Sequence, residues 1–120
     1  MKMITRLTGR HHEQQAADYL KKQGLQLLEQ NYQCRGGEID LVMRDGDTLV
    51  FVEVRYRSRK DHGSAIESIT FHKQRKILHT ARYYLSQQAQ YQNLPCRFDV
   101  LGIDKGEPLQ YTWLKSAFTE

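Results

Sequence analysis

The stretch that most constrains the fold of this chain covers residues 36–59 and reads GGEIDLVMRDGDTLVFVEVRYRSR. Its centre, Asp45-Gly46-Asp47, has the composition of a short hairpin turn. The flanking runs are rich in aliphatic residues and alternate in polarity, which is typical of strands. The stretch therefore predicts a β-hairpin with strands over 38–44 and 48–57.

Alternation assigns the hairpin side chains to two faces, since successive residues of a strand point to opposite sides. One face is apolar throughout, which predicts that it is the core side, and it carries Ile39, Leu41, Met43, Val50, Val52 and Val54. The other face is mixed and carries Glu38, Asp40, Val42, Phe51, Glu53, Arg55 and Arg57.

The turn also sets which residues lie opposite each other across the hairpin. A two-residue loop pairs Arg44 with Leu49, and counting outward from that pair places Asp40 opposite Glu53. Opposed residues have Cβ atoms about 5 Å apart, so two carboxylates there repel unless positive charge lies nearby. Two interpretations stay open: a solvated face with a salt bridge to Arg55, or a divalent metal ion bound by carboxylate oxygens.

Length and composition predict one soluble globular domain over residues 1–120, with 39% hydrophobic and 27% charged residues. No apolar run is long enough for a transmembrane helix, and the first residues lack the hydrophobic region of a signal peptide. Cys34 and Cys96 have no metal-ligand spacing, which predicts free thiols in a reducing cytoplasm.

The positive charge is concentrated in one segment. Residues 55–82 hold eight Lys or Arg against two acids, a surplus larger than the net charge of +4 for the whole chain. Clustered positive charge favours a polyanion such as nucleic acid as partner. The alternative is a solvated helix face beside a charged strand edge that blocks aggregation.

Helical spacing predicts two helices. The first covers 8–23 and places Glu13 on one stripe with Ala17 and Leu20. A carboxylate on that stripe either requires an inward partner or interacts with the helix dipole. The second covers 70–88, is capped by Thr70 and points Lys73 toward the sheet.

Three further strands are predicted over 25–34, 97–103 and 110–118. The order α-β-β-β-α-β-β predicts an α/β domain with a mixed central sheet flanked by helices.

Several segments together resemble a known family. They are GRHHEQQAADYL, GGEIDLV, FVEVRYRS, the Lys73-Gln74 pair and RFDV at 97–100, and they span most of the chain in the expected order. On these segments the chain resembles the YraN-like family of small bacterial proteins, within the PD-(D/E)XK nuclease superfamily. The resemblance implies a restriction-endonuclease-like fold.

The resemblance also implies roles for individual residues. Glu13, Asp40 and Glu53 would hold Mg²⁺ (or Mn²⁺) together with a scissile phosphate. Arg55 stands at the superfamily's lysine position, and because arginine stays protonated it can clamp a phosphate but cannot act as base. Lys73 is the candidate for the missing ammonium, so the catalytic set would be Asp40, Glu53, Arg55 and Lys73.

The function implied is a Mg/Mn-dependent nuclease that hydrolyses phosphodiester bonds of DNA, with structured or branched substrates included. DNA is favoured over RNA as partner, and resolvase-like members imply a homodimer. The residues predicted to contact nucleic acid are Arg55, Arg57, Arg59, Lys60, Lys73, Arg75 and Lys76. A nucleic-acid-binding module with weak or no catalysis is the alternative, and a protein-interaction domain whose acids only form salt bridges is a third interpretation.

Overall fold

The computed structural model describes residues 2–57 and 69–119, with side chains from residue 11 onward. The predicted order of elements is confirmed, with one short 3₁₀ turn added at Ala89–Tyr91. The elements are α1 (Lys2–Lys22), β1 (Gln26–Cys34), β2 (Gly37–Asp45), β3 (Thr48–Arg57), α2 (Phe71–Ser86), β4 (Cys96–Asp104) and β5 (Gln110–Phe118). The polar connection predicted at 58–68 lies outside the described residues.

The five strands form one mixed sheet in the order β1-β2-β3-β4-β5. β3 and β4 are parallel, and every other neighbouring pair is antiparallel. Parallel neighbours require a crossover connection, and α2 lies between β3 and β4 in the chain. Over the described residues, the chain is thus a single α/β domain with two α-helices and a five-stranded mixed sheet.

The two helices cover opposite faces of the sheet. Ala16, Ala17 and Leu20 of α1 pack in one buried cluster with Leu41 and Val52. On the other face, the buried residues of α2 pack against β2, β3 and β4 in a second cluster that contains Ile39, Val42, Leu49, Phe51, Ile77, Leu78, Ala81, Tyr84 and Phe98.

The prediction of a single core face on the hairpin was therefore wrong. Val42 and Phe51, assigned to the mixed face, are fully buried under α2. Ile39, assigned to the same face as Leu41, packs instead with the α2 cluster. The physical reason is the crossover, because a helix that joins two parallel strands must lie against one face of the sheet and bury it.

Local signals fixed most of the element ends. The register Arg44↔Leu49 is confirmed. Gly24, with φ +100°, follows the end of α1 as predicted, although α1 begins at Lys2 rather than at residue 8. Thr70 caps α2, since its side-chain oxygen accepts a hydrogen bond from the Lys73 N–H at 3.1 Å. Within the described residues, no helix has the length and apolar content needed to cross a membrane.

Candidate functional site

The end of the hairpin opposite its turn brings two acids together. The paired register of β2 and β3 runs from Asp45↔Thr48 to Leu41↔Val52, and the next positions outward are Asp40 and Glu53. The Val54 N–H donates a 2.8 Å hydrogen bond to Oδ2 of Asp40. The Asp40 carboxyl thus accepts a hydrogen bond from the backbone of the neighbouring strand, which holds it between β2 and β3.

Burial and the neighbouring negative charge both act on Asp40. Burial is the larger cause, and with the charge of Glu53 it raises the pKa of Asp40 from 3.8 to about 7, although the Val54 N–H acts in the opposite direction. The proximity of the Glu53 side chain contributes in the same direction as burial. Near neutral pH, the Asp40 carboxyl is therefore protonated in a substantial fraction of the molecules.

Two cationic side chains lie near the same oxygen of Glu53, a residue that is only 6% exposed. Nη2 of Arg55 lies 3.1 Å from Oε2 of Glu53, and Nζ of Lys73 lies 3.7 Å from it. Lys73 comes from the first turn of α2, so the prediction that it points toward the sheet is confirmed. The site combines two carboxyl groups and two cationic groups contributed by β2, β3 and α2.

Glu13 is the third predicted metal ligand. It is half-buried on α1, in the same helix as the buried residues Ala16 and Ala17. Among residues 11–57 and 69–119, no three His, Cys, Asp or Glu side chains form a group that could hold a metal ion. The role of Glu13 as a third ligand stays a prediction.

The predicted nucleic-acid contacts divide into three sets. Lys76 is exposed beside Lys73 on α2. Arg75 is also exposed, and its guanidinium lies 5.8 Å from the ring centre of Phe71. Arg57 is engaged inside the protein, where Nε and Nη2 donate to the two carboxylate oxygens of Asp104 at 2.8 and 3.0 Å. Arg59 and Lys60 lie outside the described residues.

An open cleft of about 370 Å³ lies between the start of β2 and α2, on the Lys73 side of the acid pair. Its lining residues are Gly36, Gly37, Glu38, Lys73, Lys76 and Ile77. The sequence pattern at Gly36-Gly37 predicted only a turn, and the cleft was missed. The two adjacent glycines were the available signal, because glycine also marks the close approach of two backbone segments.

Gly37→Ala is expected to destabilise the protein by about 2 kcal/mol, because overpacking of this kind typically costs ~1–3 kcal/mol. A Cβ at Gly37 would collide with Oγ1 of Thr80 and lie 3.2 Å from the Lys76 carbonyl oxygen. Urea denaturation measures the change. Gly37→Ala/Thr80→Ala should lose less than the two single variants added together, and strict additivity would show that the contact does not limit packing.

The buried acid Asp99 was also missed in the sequence, although it lies in the RFDV segment. Asp99 is fully buried on β4 and accepts hydrogen bonds from Nε of Arg97, from Nε1 of Trp113 and from the N–H of Ser116. Arg97 also contacts Asp45 at 3.0 Å. The signal was an Arg and an Asp two positions apart on one strand face, and the role that the structure gives them is to join β4 to β5 and to the hairpin.

Fold and site together define a small α/β protein whose central hairpin carries one half-buried and one buried carboxyl group, flanked by an arginine and a lysine. The chain belongs to the Uncharacterised protein family UPF0102, whose model matches residues 12–103. The matched range contains Glu13, Asp40, Glu53, Arg55 and Lys73.

Relatives at high identity agree with this assignment. A UPF0102 protein of Pseudomonas fluorescens is 49% identical, with 92% of this chain and 92% of the relative covered. A UPF0102 protein of Aeromonas hydrophila is 50% identical over 92% of this chain and 83% of its own length. One from Alcanivorax borkumensis is 44% identical over 92% and 90%, respectively.

Proposed function

We propose that this chain is a Mg²⁺- or Mn²⁺-dependent nuclease that hydrolyses phosphodiester bonds of DNA, on a domain of the restriction-endonuclease-like kind. The observation that carries the proposal is the pair formed by half-buried Asp40 and buried Glu53, with Arg55 and Lys73 beside it. A buried acid pair costs folding free energy unless charge or a proton compensates it, so such pairs are typical of functional sites.

The donor set suits a hard dication. Carboxylate oxygens are preferred ligands of Mg²⁺ and Mn²⁺. Mg²⁺ commonly uses one or two carboxylates and completes its shell with waters and substrate phosphate, so Asp40 and Glu53 are sufficient protein ligands. When bound, the ion would polarise the phosphate and lower the pKa of a water molecule. Glu13 remains a proposed additional ligand.

The chain's own cations have distinct roles in this proposal. Arg55 keeps its charge at every physiological pH, so its guanidinium can hold a phosphate oxygen but cannot accept a proton from water. Lys73 carries a compact ammonium on a flexible stem, which can move from Glu53 to the phosphate when substrate binds. Both groups would offset the negative charge that develops on the phosphate during hydrolysis.

A nuclease assay with single-stranded, duplex, flapped and four-way DNA in Mg²⁺ or Mn²⁺ tests the proposal. We expect cleavage of at least one substrate by the wild type and a loss of at least about 100-fold in Asp40→Asn, because removal of a metal ligand removes most of the metal's contribution. Lys73→Ala should also lose cleavage. Cleavage that persists in Lys73→Ala but is abolished in Arg55→Ala would make Lys73 a structural residue only.

A second candidate function is a nucleic-acid-binding module with weak or no catalysis. The observation that favours it is the arginine at position 55, which already neutralises Glu53 at 3.1 Å together with Lys73. A carboxylate that is satisfied by two cations has less need of a metal ion.

The two functions differ in what metal does to the protein. Salt-dependent binding of labelled DNA with no cleavage in Mg²⁺ or Mn²⁺ would favour the binding module. A nuclease site should in addition bind the metal itself, which raises the melting temperature of the folded protein.

A further inference from the structure

The cleft between β2 and α2 has a chemical character of its own. Its volume of about 370 Å³ lies near the lower end of the range that small-ligand sites occupy, about 300–1,000 Å³. Lys73 and Lys76 contribute two ammonium groups to it, while Ile77 and the Gly36-Gly37 backbone bring no ionisable side chain.

Lys76 has no counter-ion within the described part of the chain. It forms no ion pair with any Asp or Glu of residues 11–57 and 69–119, although the Glu38 side chain lines the same cleft. Glu38 instead accepts a hydrogen bond from Nε2 of Gln33 on β1 at 3.3 Å. An exposed ammonium that faces a cleft and has no carboxylate partner is available to an anion from outside the protein.

Lys73 connects this cleft to the acid pair. Its side chain lines the cleft, and its Nζ lies 3.7 Å from Oε2 of Glu53, which is near the outer limit of an ion pair. An anion that sits between Lys73 and Lys76 is therefore adjacent to the Asp40–Glu53 pair. Consecutive phosphates of one strand would have this arrangement, with one at the acid pair and the next in the cleft.

We infer that the cleft is a subsite for the phosphate of one unpaired nucleotide, next to the phosphodiester bond at the acid pair. The inference rests on the proposed function and names its substrate class, a single strand or a single-stranded extension. A helix and a strand wall the cleft on two sides, and its volume suits one nucleotide better than a base pair. Glu38 at its edge is an acceptor for an exocyclic amino group of the base.

The test measures binding of a short fluorescent single-stranded DNA in EDTA, without catalytic metal. We expect Lys76→Ala to weaken binding about five- to tenfold and to reduce the salt dependence by about 0.7, the value for one phosphate contact on a single strand. Lys76→Glu should weaken binding further. The matched control is Lys22→Ala, which removes one exposed lysine at the end of α1 and should change affinity less than twofold.

Competition separates the sources of phosphate. A nucleoside monophosphate should displace the labelled strand from wild type, and the nucleoside without phosphate should not. If inorganic phosphate displaces the labelled strand as well as the nucleoside monophosphate does, the cleft is a simple anion site and not a nucleotide subsite. Equal losses in Lys76→Ala and Lys22→Ala would show only general attraction between charges and would overturn the inference.

Duplex DNA supplies the remaining comparison. Lys76→Ala should weaken single-strand binding several times more than blunt-duplex binding, and an equal effect on both would reject the single-strand assignment. Because all these measurements are made without metal, a protein that never cleaves DNA can still confirm the subsite. Conversely, the wild type could cleave DNA while Lys76→Ala binds the single strand as tightly as the wild type does. That result would overturn the subsite and leave the proposed nuclease function standing.

Discussion

Asp40→Asn is expected to stabilise the metal-free protein by about 2 kcal/mol at pH 8 and by less than about 1 kcal/mol at pH 5. Burial and the charge of Glu53 raise the pKa of Asp40 to about 7. The folded protein therefore binds this proton more tightly than the unfolded chain does. Its stability falls as the pH rises from about 4 to about 7, and the loss is complete above pH 7.

Asparagine removes the charge and keeps the contacts. Its amide oxygen can accept the Val54 N–H, and its amide nitrogen can donate to Glu53. The full pKa difference corresponds to about 4 kcal/mol, since one pKa unit is about 1.4 kcal/mol. We expect about half of that, because the amide still has a desolvation cost in the same place.

Urea denaturation at pH 5, 6, 7 and 8 measures this difference directly. Asp47→Asn is the matched control, because Asp47 is an exposed acid in the turn of the same hairpin and contacts Arg44 only at 3.8 Å. The difference between Asp40→Asn and wild type should grow with pH, whereas that for Asp47→Asn should stay within about 0.5 kcal/mol. Parallel stability curves for wild type and Asp40→Asn would contradict the raised pKa of Asp40.

Bound metal should reverse the order of stability of the wild type and Asp40→Asn. At pH 8, Mg²⁺ at about 100 times its dissociation constant should stabilise wild type by about 2.7 kcal/mol and leave Asp40→Asn unaffected. Below pH 7 the proton must leave before the metal binds, so the apparent affinity should fall by up to about tenfold per pH unit. The same thermal shift in both proteins would place the metal elsewhere and remove the support for a nuclease site.

The hairpin shows why part of this site was predictable from sequence. A turn of defined length and the alternation of side chains act over a few residues, so the amino-acid order alone pairs Arg44 with Leu49 and brings Asp40 near Glu53. The cap at Thr70 and the direction of Lys73 follow from helix periodicity in the same way.

Contacts between distant segments were not predictable. Asp104 forms an ion pair with Arg57 because β3 and β4 are parallel neighbours in the sheet. The sequence of the two strands does not indicate that they will pair. The same pairing places α2 over Val42 and Phe51, which overturned the single-core-face prediction. One signal was present: the run Leu49-Val50-Phe51-Val52 is apolar at every position, which is typical of a strand buried on both faces.

Asp99→Ala is expected to destabilise the protein by about 3 kcal/mol, because Arg97 loses its buried partner and keeps only Asp45, while the Trp113 and Ser116 donors lose their acceptor. Asp99 is fully buried, and its two oxygens receive Arg97 at 3.1 and 3.2 Å, Trp113 at 2.9 Å and the Ser116 N–H at 2.9 Å. The truncation leaves these donors without their acceptor inside the sheet. Urea denaturation at pH 7 measures the loss.

A mutant cycle tests whether the network acts as a unit. Arg97→Met/Asp99→Ala should be more stable than the sum of the two single changes predicts, because the double variant no longer has a guanidinium that has lost its Asp99 partner. Asp47→Ala, at the exposed turn, should cost less than about 0.5 kcal/mol. If Asp99→Ala is as mild as Asp47→Ala, the buried carboxylate does not fasten β4 to β5, and the packing of Trp113 and Phe118 must hold that edge of the sheet instead.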